Sequence, residues 1–598
     1  MQETPSQEKV SHALKANRNN MKIRNKNSKS RKFNPYEKII KELIKKSYST
    51  PAIIVYSGVS NIGKNSYIVV NKGHFLIIDF GIGFPDIDAY GVEGITPDLD
   101  FIEEIKNYVD AVVLTHAHLD HVGSLHYLVK KLKNIPVYGS RFTIEFIQNK
   151  LKKHKLHKNI QPFIVNSGQS VKAGSFTVHF AHVTHSIPHS MMVAVDTDYG
   201  KIVYTGDYKF DETPINEPPT DIKTIQKWAE SGIAVSLLDS TNAFEQGHSK
   251  SETLIMNALE EIIATSKGKT IIGLFSSLVS RMIGIIEIAK KLNKKVAFTG
   301  RSMEENIKIA KRIGYLVADR DVLIPLSDIS KYDEKQLVIL ATGSQGEHMA
   351  ALTRMARGKH EQVKLKSTDT IVLSSSVIPT NVVQVQQLMD LLSFTGARII
   401  NSKLMDVHVS GHAYQEEMVE MAMLLKSKFY IPVHGYPSFL FQHKRLLMEH
   451  GIQSNQIFVP AEGSIYFLDK DKLRTRRKLQ ISGQPIIGGD LIDKKDPIIE
   501  NRKTLASSGY IAVIVNKKRG IVFVTANAVV PKDKQKELKE NVRILVKDII
   551  KQQKGVLIRG ADKGSSSTRG LQKTLYQAVS KYVAKEFSVT PLVSVQVI

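Results

Sequence analysis

The seven residues THAHLDH, Thr115 to His121, decide how the rest of the chain is read. They place His116, His118, Asp120 and His121 within six residues, directly after the apolar run AVVL. Imidazoles two apart on an extended segment can point at one cation. Asp120 and His121, at the turn into a predicted helix, can serve a second. Histidine and carboxylate without sulfur suit zinc or manganese. Cysteine is absent from all 598 residues. That excludes disulfides, thiolate nucleophiles and Cys-ligated zinc or iron–sulfur sites, and it fits a reducing compartment.

Partners for the cluster recur after other strand-like runs. His185 lies in AHVTHSIPHS, Asp207 in YTGDYKFD, where a carboxylate could bridge two ions, and His434 in YIPVHGY. His182 and His189 compete with His185, and local spacing leaves all three open. Asp79 closes the run HFLIIDFG and is placed to orient a ligand rather than to bind metal itself.

A rival reading starts at GVSNIGKN, Gly58 to Asn65, which has the glycine spacing and lysine of a P-loop. A phosphate-gripping loop needs Ser or Thr after the lysine and a helix opening there. Position 65 is Asn, and SYIVVNKGHFLIIDFG reads as strand, turn and strand. That pattern argues against nucleotide hydrolysis and assigns the glycines to a tight turn.

Organisation follows from changes of texture. Through Thr50 the chain holds thirteen Lys or Arg against four Glu, a basic extension (residues 1–50) with one short amphipathic helix in PYEKIIKELIKK, lying on the body or on a partner. Many short strands then run from 51 to 245, which suggests paired sheets with outer helices. Residues 246–400 alternate strand and helix and mark a second domain. Residues 401–470 hold a His-bearing loop, a helix at QEEMVEMAMLLKS, the strand KFYIPVHG and another helix, 471–490 with the basic DKLRTRRK is read as an exposed linker, and 491–598 form a small α/β domain. The net charge of +25 favours a polyanionic partner, and no run of eighteen apolar residues argues for a membrane span. The basic cluster NKLKKHKLHKN, Asn149 to Asn159, is expected on a solvent-facing edge that steers nucleic acid.

The order HxHxDH, distal His, GD, late His resembles the metallo-β-lactamase superfamily. The inserted βα domain with HVSGHA and PVHG resembles its β-CASP branch. Taken with IGKN, HSIP, LLDSTNA, GRSM, TGSQGE, MAALTRMA and SSSVIP, the chain is similar to bacterial ribonuclease J over about residues 52 to 470. That resemblance implies an αββα sandwich with an inserted β-CASP domain and a small C-terminal α/β domain. It implies His116, His118 and His185 on one metal, Asp120, His121 and His434 on the other, and Asp207 shared. It implies His412 beside the scissile phosphate, with Asp120 also taken as catalytic, and Ser410 and Gly411 in a phosphate-binding turn; His408 is read as a helper there, and the polar or basic Ser344, Arg301, Arg281 and Ser302 are read as cleft residues that contact RNA.

The implied activity is two-metal hydrolysis of single-stranded RNA in the cytoplasm, 5′-to-3′ from monophosphate ends and also internally, in rRNA maturation and mRNA decay. The ions are two divalent cations, zinc first, with Mn2+ or Mg2+ as alternatives. A homodimer or larger oligomer is implied, with a paralogue as a further partner. Two alternatives stay open: a mainly endonucleolytic enzyme, or a weakly active RNA-binding partner of an active paralogue. The chain departs from the family at Ser280, where a His usually precedes the Arg, at VIPTNV, at His348, and after His434, where HGYPSFL lacks the usual acidic residue.

Overall fold

AIIVYS forms the strand Ala52–Ser57 with every residue buried, the mark of a strand covered on both faces. It pairs antiparallel with Ser66–Asn71, so the glycine-rich GVSNIGKN is the connection of a hairpin and opens no helix. The computed structural model describes residues 34–85, 90–317, 321–378, 381–476, 478–557 and 568–598. Residues 1–33, most of the expected basic extension, lie outside that set. Its remainder carries the helix Glu37–Lys46, which lies on the body through Ile40 and Leu43. Tyr36 meets Phe101 edge-on at 5.5 Å just ahead of it.

The chain separates into two compact units, Met1–Gly83 with Pro97–Ser482, and Phe84–Thr96 with Gly483–Ile598. In the first, an eight-stranded and a six-stranded sheet face each other. Ile53, Val55, Tyr67, Val69, Val113, Phe180, Val193, Tyr204 and Leu237 fill the space between them. Trp228, Met418, Met421, Leu425 and Leu447 cover the outer face of the six-stranded sheet. The central strands of each sheet therefore bury both faces and the helices lie outside, the four-layer sandwich the sequence predicts.

Residues between these halves build a five-stranded parallel sheet in the order Lys295–Thr299, Leu337–Ala341, Thr270–Gly273, Thr370–Leu373, Arg398–Asn401. Its helices include Glu252–Thr265, Val279–Lys291 and Arg301–Arg312. One of its apolar clusters also takes in Ala117, Phe142 and Ile187 of the sandwich, so insert and host share a core. The sequence reading assigns no helix to Arg141–Lys153, yet Ser140 caps one there and Phe142, Ile144, Ile147 and Leu151 bury one face of it.

In the second unit, Tyr510–Asn516 pairs with Ile521–Asn527 and Leu592–Val597. Leu538, Val542, Leu575 and Val579 of the helices Gln535–Leu557 and Thr568–Phe587 cover one face. The expected linker 471–490 is corrected by two strands. Lys472–Arg476 extends the eight-stranded sheet, and Gln484–Ile487 pairs with Gly94–Thr96. The alternation that would flag the first is hidden because Leu473 alone turns inward among exposed basic residues. Among the described residues no helix is long and apolar enough to cross a membrane.

Candidate metal centre

The functional side chains hang from strand ends. Asp79 follows His74–Ile78, His116 follows Val109–Val113, and His185 follows Phe176–His182. Asp207 follows Lys201–Tyr204, and His434 follows Phe429–Val433. Strand ends from both sheets thus meet on one edge of the sandwich. Asp79 and His434 sit at φ values of +58° and +56°, in the left-handed region that costs a non-glycine residue about 1 kcal/mol or more. Both turn their side chains into the cluster at that cost. Gly81 permits the closest backbone approach: a Cβ there would fall 1.5 Å from the carbonyl oxygen of Asp120.

His116, His118, His185 and Asp207 bring one ligand atom each to within 4.8 Å of one another, and so do Asp120, His121, Asp207 and His434. Asp207 is common to both sets, and to a third that it forms with Asp239, His412 and His434. Its Oδ2 lies 3.5 Å from His116 Nε2 and 3.1 Å from His121 Nε2, and its Oδ1 lies 3.0 Å from His434 Nδ1. His118 Nδ1 lies 3.1 Å from His116 Nε2 and 3.0 Å from His185 Nε2. Asp79 takes no place in either set. It accepts from Thr115 N at 2.8 Å, from Thr115 Oγ1 at 2.7 Å and from His121 Nδ1 at 2.7 Å. That bond fixes the Nδ1 proton toward Asp79 and turns Nε2 toward Asp207, where it would meet a cation once it gives up its own proton. His185 Nδ1 donates to the Gly411 carbonyl at 2.6 Å, which frees its Nε2.

The donor set fits cations. Burial first, and then neighbouring imidazoles, hold His116 and His185 well below the ordinary imidazole range. Burial likewise lowers His118 to about 4. Three neutral rings with nitrogens converging cannot all donate to one another, and a positive ion resolves that conflict. Around the other set, burial opposes charge, yet Asp207, Asp120 and Asp79 raise His121 to about 10. A proton there stands in for positive charge that the carboxylates demand. Asp207 Oδ1 and His434 Nε2 are buried and lack hydrogen-bond geometry with any neighbour among the described residues.

The rival histidines leave the cluster. His182 Nε2 bonds the Pro218 carbonyl at 2.9 Å, and the His189 ring meets Tyr315 edge-on at 5.2 Å. His412 does join: its ring lies 5.0 Å from His185 and 5.5 Å from His434, centroid to centroid. Ser410 Oγ accepts from Asn242 Nδ2 at 2.9 Å and from the His412 N–H at 3.2 Å, which shapes the turn. His408 is turned elsewhere, its Nδ1 accepting from Arg281 Nη1 at 2.9 Å. Arg281 is no open cleft residue. It is 2 % exposed, and its Nε and Nη2 grip the two Glu252 oxygens. Ser344 is buried in the insert beside Gln345, which ties its turn to Ser376, while Arg301 is exposed at the start of its helix.

Asp239 is the residue the sequence reading misses. Its Oδ2 accepts from His412 Nδ1 at 2.8 Å, its Oδ1 lies 3.4 Å from His434 Nδ1, and it is fully buried. The signal was a strand ending in Asp, in AVSLLD, the same pattern that singles out Asp79 in HFLIID. Asn65 is a second omission, its Nδ2 lying 3.1 Å from His121 Nε2.

Three family descriptions match consecutive stretches of the chain. The metallo-beta-lactamase superfamily covers residues 61–267 and the Ribonuclease J beta-CASP domain covers 267–392. The Zn-dependent metallo-hydrolase RNA specificity domain covers 399–460. A Ribonuclease J of Helicobacter pylori strain B128 is 31% identical over 552 residues, spanning 90% of this chain and 79% of the relative. One from Synechocystis is 31% identical and spans 90% of this chain and 85% of its own. One from Mycobacterium tuberculosis is 36% identical over 471 residues, 78% of this chain and 83% of the relative.

Proposed function

This chain belongs to the ribonuclease J family, and from that premise we propose that it is a metal-dependent ribonuclease that shortens RNA from 5′-monophosphate ends and also cuts internally, in RNA processing. The observation that carries the reading is the convergence of His116, His118, Asp120, His121, His185, Asp207 and His434 into two sets sharing one carboxylate. We assign the three-histidine set and the Asp120–His121–His434 set as the residues that would each hold a cation, with Asp207 offered to both. Zinc is the proposed ion on the nitrogen-rich donors. Divalent cations there would supply Lewis acidity toward a phosphodiester and water activated at neutral pH.

The chain's own residues do the rest. Asp79 and the Gly411 carbonyl hold the Nδ1 hydrogens of His121 and His185 and so turn Nε2 of each ring inward. Burial pulls the His412 pKa down, but Asp239 and Asp207 outweigh it and raise it. A protonated His412 can give its proton to the departing 3′ oxygen, leaving 5′-phosphate and 3′-hydroxyl ends. Ser410 and the backbone of Gly411 shape the turn beside it and are proposed to receive a phosphate. Ser344, Arg301 and His408 are proposed further out. His408 acts through Arg281, which it helps hold in place.

The cytoplasm is the proposed location, consistent with a cysteine-free chain. A homodimer or larger assembly is proposed from the uncovered sheet face of the second unit, where Ile514, Ile521 and Phe523 are 39%, 52% and 68% exposed. The deciding experiment gives the purified protein matched RNAs with 5′-monophosphate, triphosphate or hydroxyl ends, with and without chelator. Chelator-sensitive release of mononucleotides, fastest from the monophosphate, is expected. Cutting that survives exhaustive chelation would overturn the reading.

A further inference from the structure

A second group of basic side chains lies outside the His/Asp cluster, on the two helices that follow the metal loop. His126 and Lys130 belong to Leu125–Lys131. Lys150 belongs to Arg141–Lys153, and His154 caps its C-terminal end. The rings of His126 and His154 stack, with centroids 4.4 Å apart and planes 12° from parallel. Stacking sets the two ring faces against each other, a poor arrangement for two rings that are both charged.

Carboxylates near these helices are already taken. Lys131 holds Glu103 at 3.2 Å, Lys153 holds Glu305 at 2.6 Å, and Arg312 holds Glu145 at 3.2 Å. Among the described residues neither Lys130 nor Lys150 has a carboxylate partner. Lys130 lies over the Tyr127 ring at 5.4 Å instead. The charge imbalance registers on the groups themselves. Burial, then His154, Lys150 and Lys130, push His126 down to about 3. Burial, then Lys153, lowers Lys150 to about 8, and burial, then Lys130, Lys150 and Lys153, lowers His154. Every charged side chain acting on these groups is a cation. An anion seated among them would oppose the part of each shift that the neighbouring cations cause.

We propose that His126, Lys130, Lys150 and His154 form a phosphate site that grips the backbone of the RNA outside the scissile position. The site rests on the ribonuclease reading above. A chain of phosphates is favoured over one small anion, because the same segment goes on to Lys152, Lys155 and Lys158, all exposed. A run of basic side chains tracks successive backbone phosphates, whereas a pocket holds one. The position is apt, since His126 lies five residues after His121. Strand gripped here is tied to the same segment that carries the metal loop.

The test uses the full chain with its metals and uncleavable phosphorothioate RNA of about 6 and about 25 nucleotides, lengths that separate one site from an extended path. Binding is read by fluorescence anisotropy over a series of salt concentrations. In K130A/K150A the ratio of long-strand to short-strand affinity is expected to fall about tenfold, and the salt slope for the long strand to drop by about 1.4, the value for two lost contacts to a single strand. An unchanged ratio and slope would overturn the site. Should that variant fail to melt cooperatively, the wild type decides by NMR of its histidine rings. Adding the longer RNA is expected to raise the titration midpoint of His154, and a midpoint that stays put would overturn the site. These outcomes are separable from failure of the enzyme reading. A wild type that cuts no RNA removes that reading, whereas one that cuts RNA but shows equal ratios removes the phosphate site alone.

Discussion

Gly411 is packed against the imidazole of His185: a Cβ at position 411 would lie 2.8 Å from both Cε1 and Nδ1 of that ring. The same residue's carbonyl takes the Nδ1 hydrogen at 2.6 Å, so steric room and orientation come from one place. Gly411→Ala is expected to push His185 off its tautomer-setting bond. Cleavage should fall about 10- to 100-fold, with bound metal reduced in parallel, as for other losses of ligand-orienting partners. Metal content by elemental analysis beside RNA cleavage rates checks this, and normal values of both would refute it.

Asp79 orients His121 without sharing a ligand set with it. Asp79→Asn keeps the shape but replaces a carboxylate acceptor with an amide that can present N–H toward His121 Nδ1. Affinity for the second cation is expected to weaken about 10- to 100-fold. Competition with a calibrated chelator measures it. Added metal should restore cleavage to Asp79→Asn, and a defect that excess metal leaves untouched would contradict the orienting role.

Asp207 is the one carboxylate common to both sets. Asp207→Asn should remove nearly all cleavage and should lower occupancy of both ions together. Loss of one equivalent of metal with the other retained would show that the carboxylate serves a single site.

Arg281 is buried with its guanidinium spread over Glu252, Ser374 and His408. Arg281→Ala leaves Glu252 without its cation in a mostly buried setting. The expected loss is about 3 kcal/mol or more of stability, larger than any change in KM for RNA. Urea unfolding of variant and wild type measures it. A stable variant with strongly raised KM would instead make Arg281 a direct substrate contact.

His443 is fully buried, donating or accepting at Ser240 Oγ over 2.9 Å, and burial holds it down to about 4. The unfolded chain binds the proton more tightly, with an ordinary value of about 6.5. Stability from the neutral ring is therefore complete above about pH 6.5 and is lost as pH falls toward 4. Between pH 7 and pH 5 this one group accounts for a loss of about 2 kcal/mol. His443→Gln should flatten that part of the stability profile, read from denaturant midpoints at the two pH values. An unaltered slope would mean the ring is hydrated.

The parts of this molecule legible from the chain alone are those where chemistry is local. THAHLDH concentrates four ligand-type side chains in one turn, and apolar runs such as AIIVYS announce strands covered on both faces. His185 illustrates the limit. His182, His185 and His189 share one short segment; His182 ends its strand opposite Met191, and the loop between the two strands decides which of the rings faces the cluster. Asp239 was hidden for a related reason, since a strand-terminal aspartate is informative only when another strand end arrives beside it. Arg281 looked like a cleft residue because burial of a guanidinium depends on Glu252, 29 positions away, closing over it. The strand Lys472–Arg476 escaped notice because four of its five side chains are exposed and basic residues dominate it.

Ala117, inside the HxHxDH segment, belongs to the same apolar cluster as Leu278, Met282 and Met303 of the inserted domain. Host and insert therefore cannot denature separately without exposing that shared oil, so heating should show them melting as one cooperative block. Excision of residues 246–400 would strip the metal loop of its backing, and a chain so trimmed would lose its grip on cations even with all seven ligands still encoded.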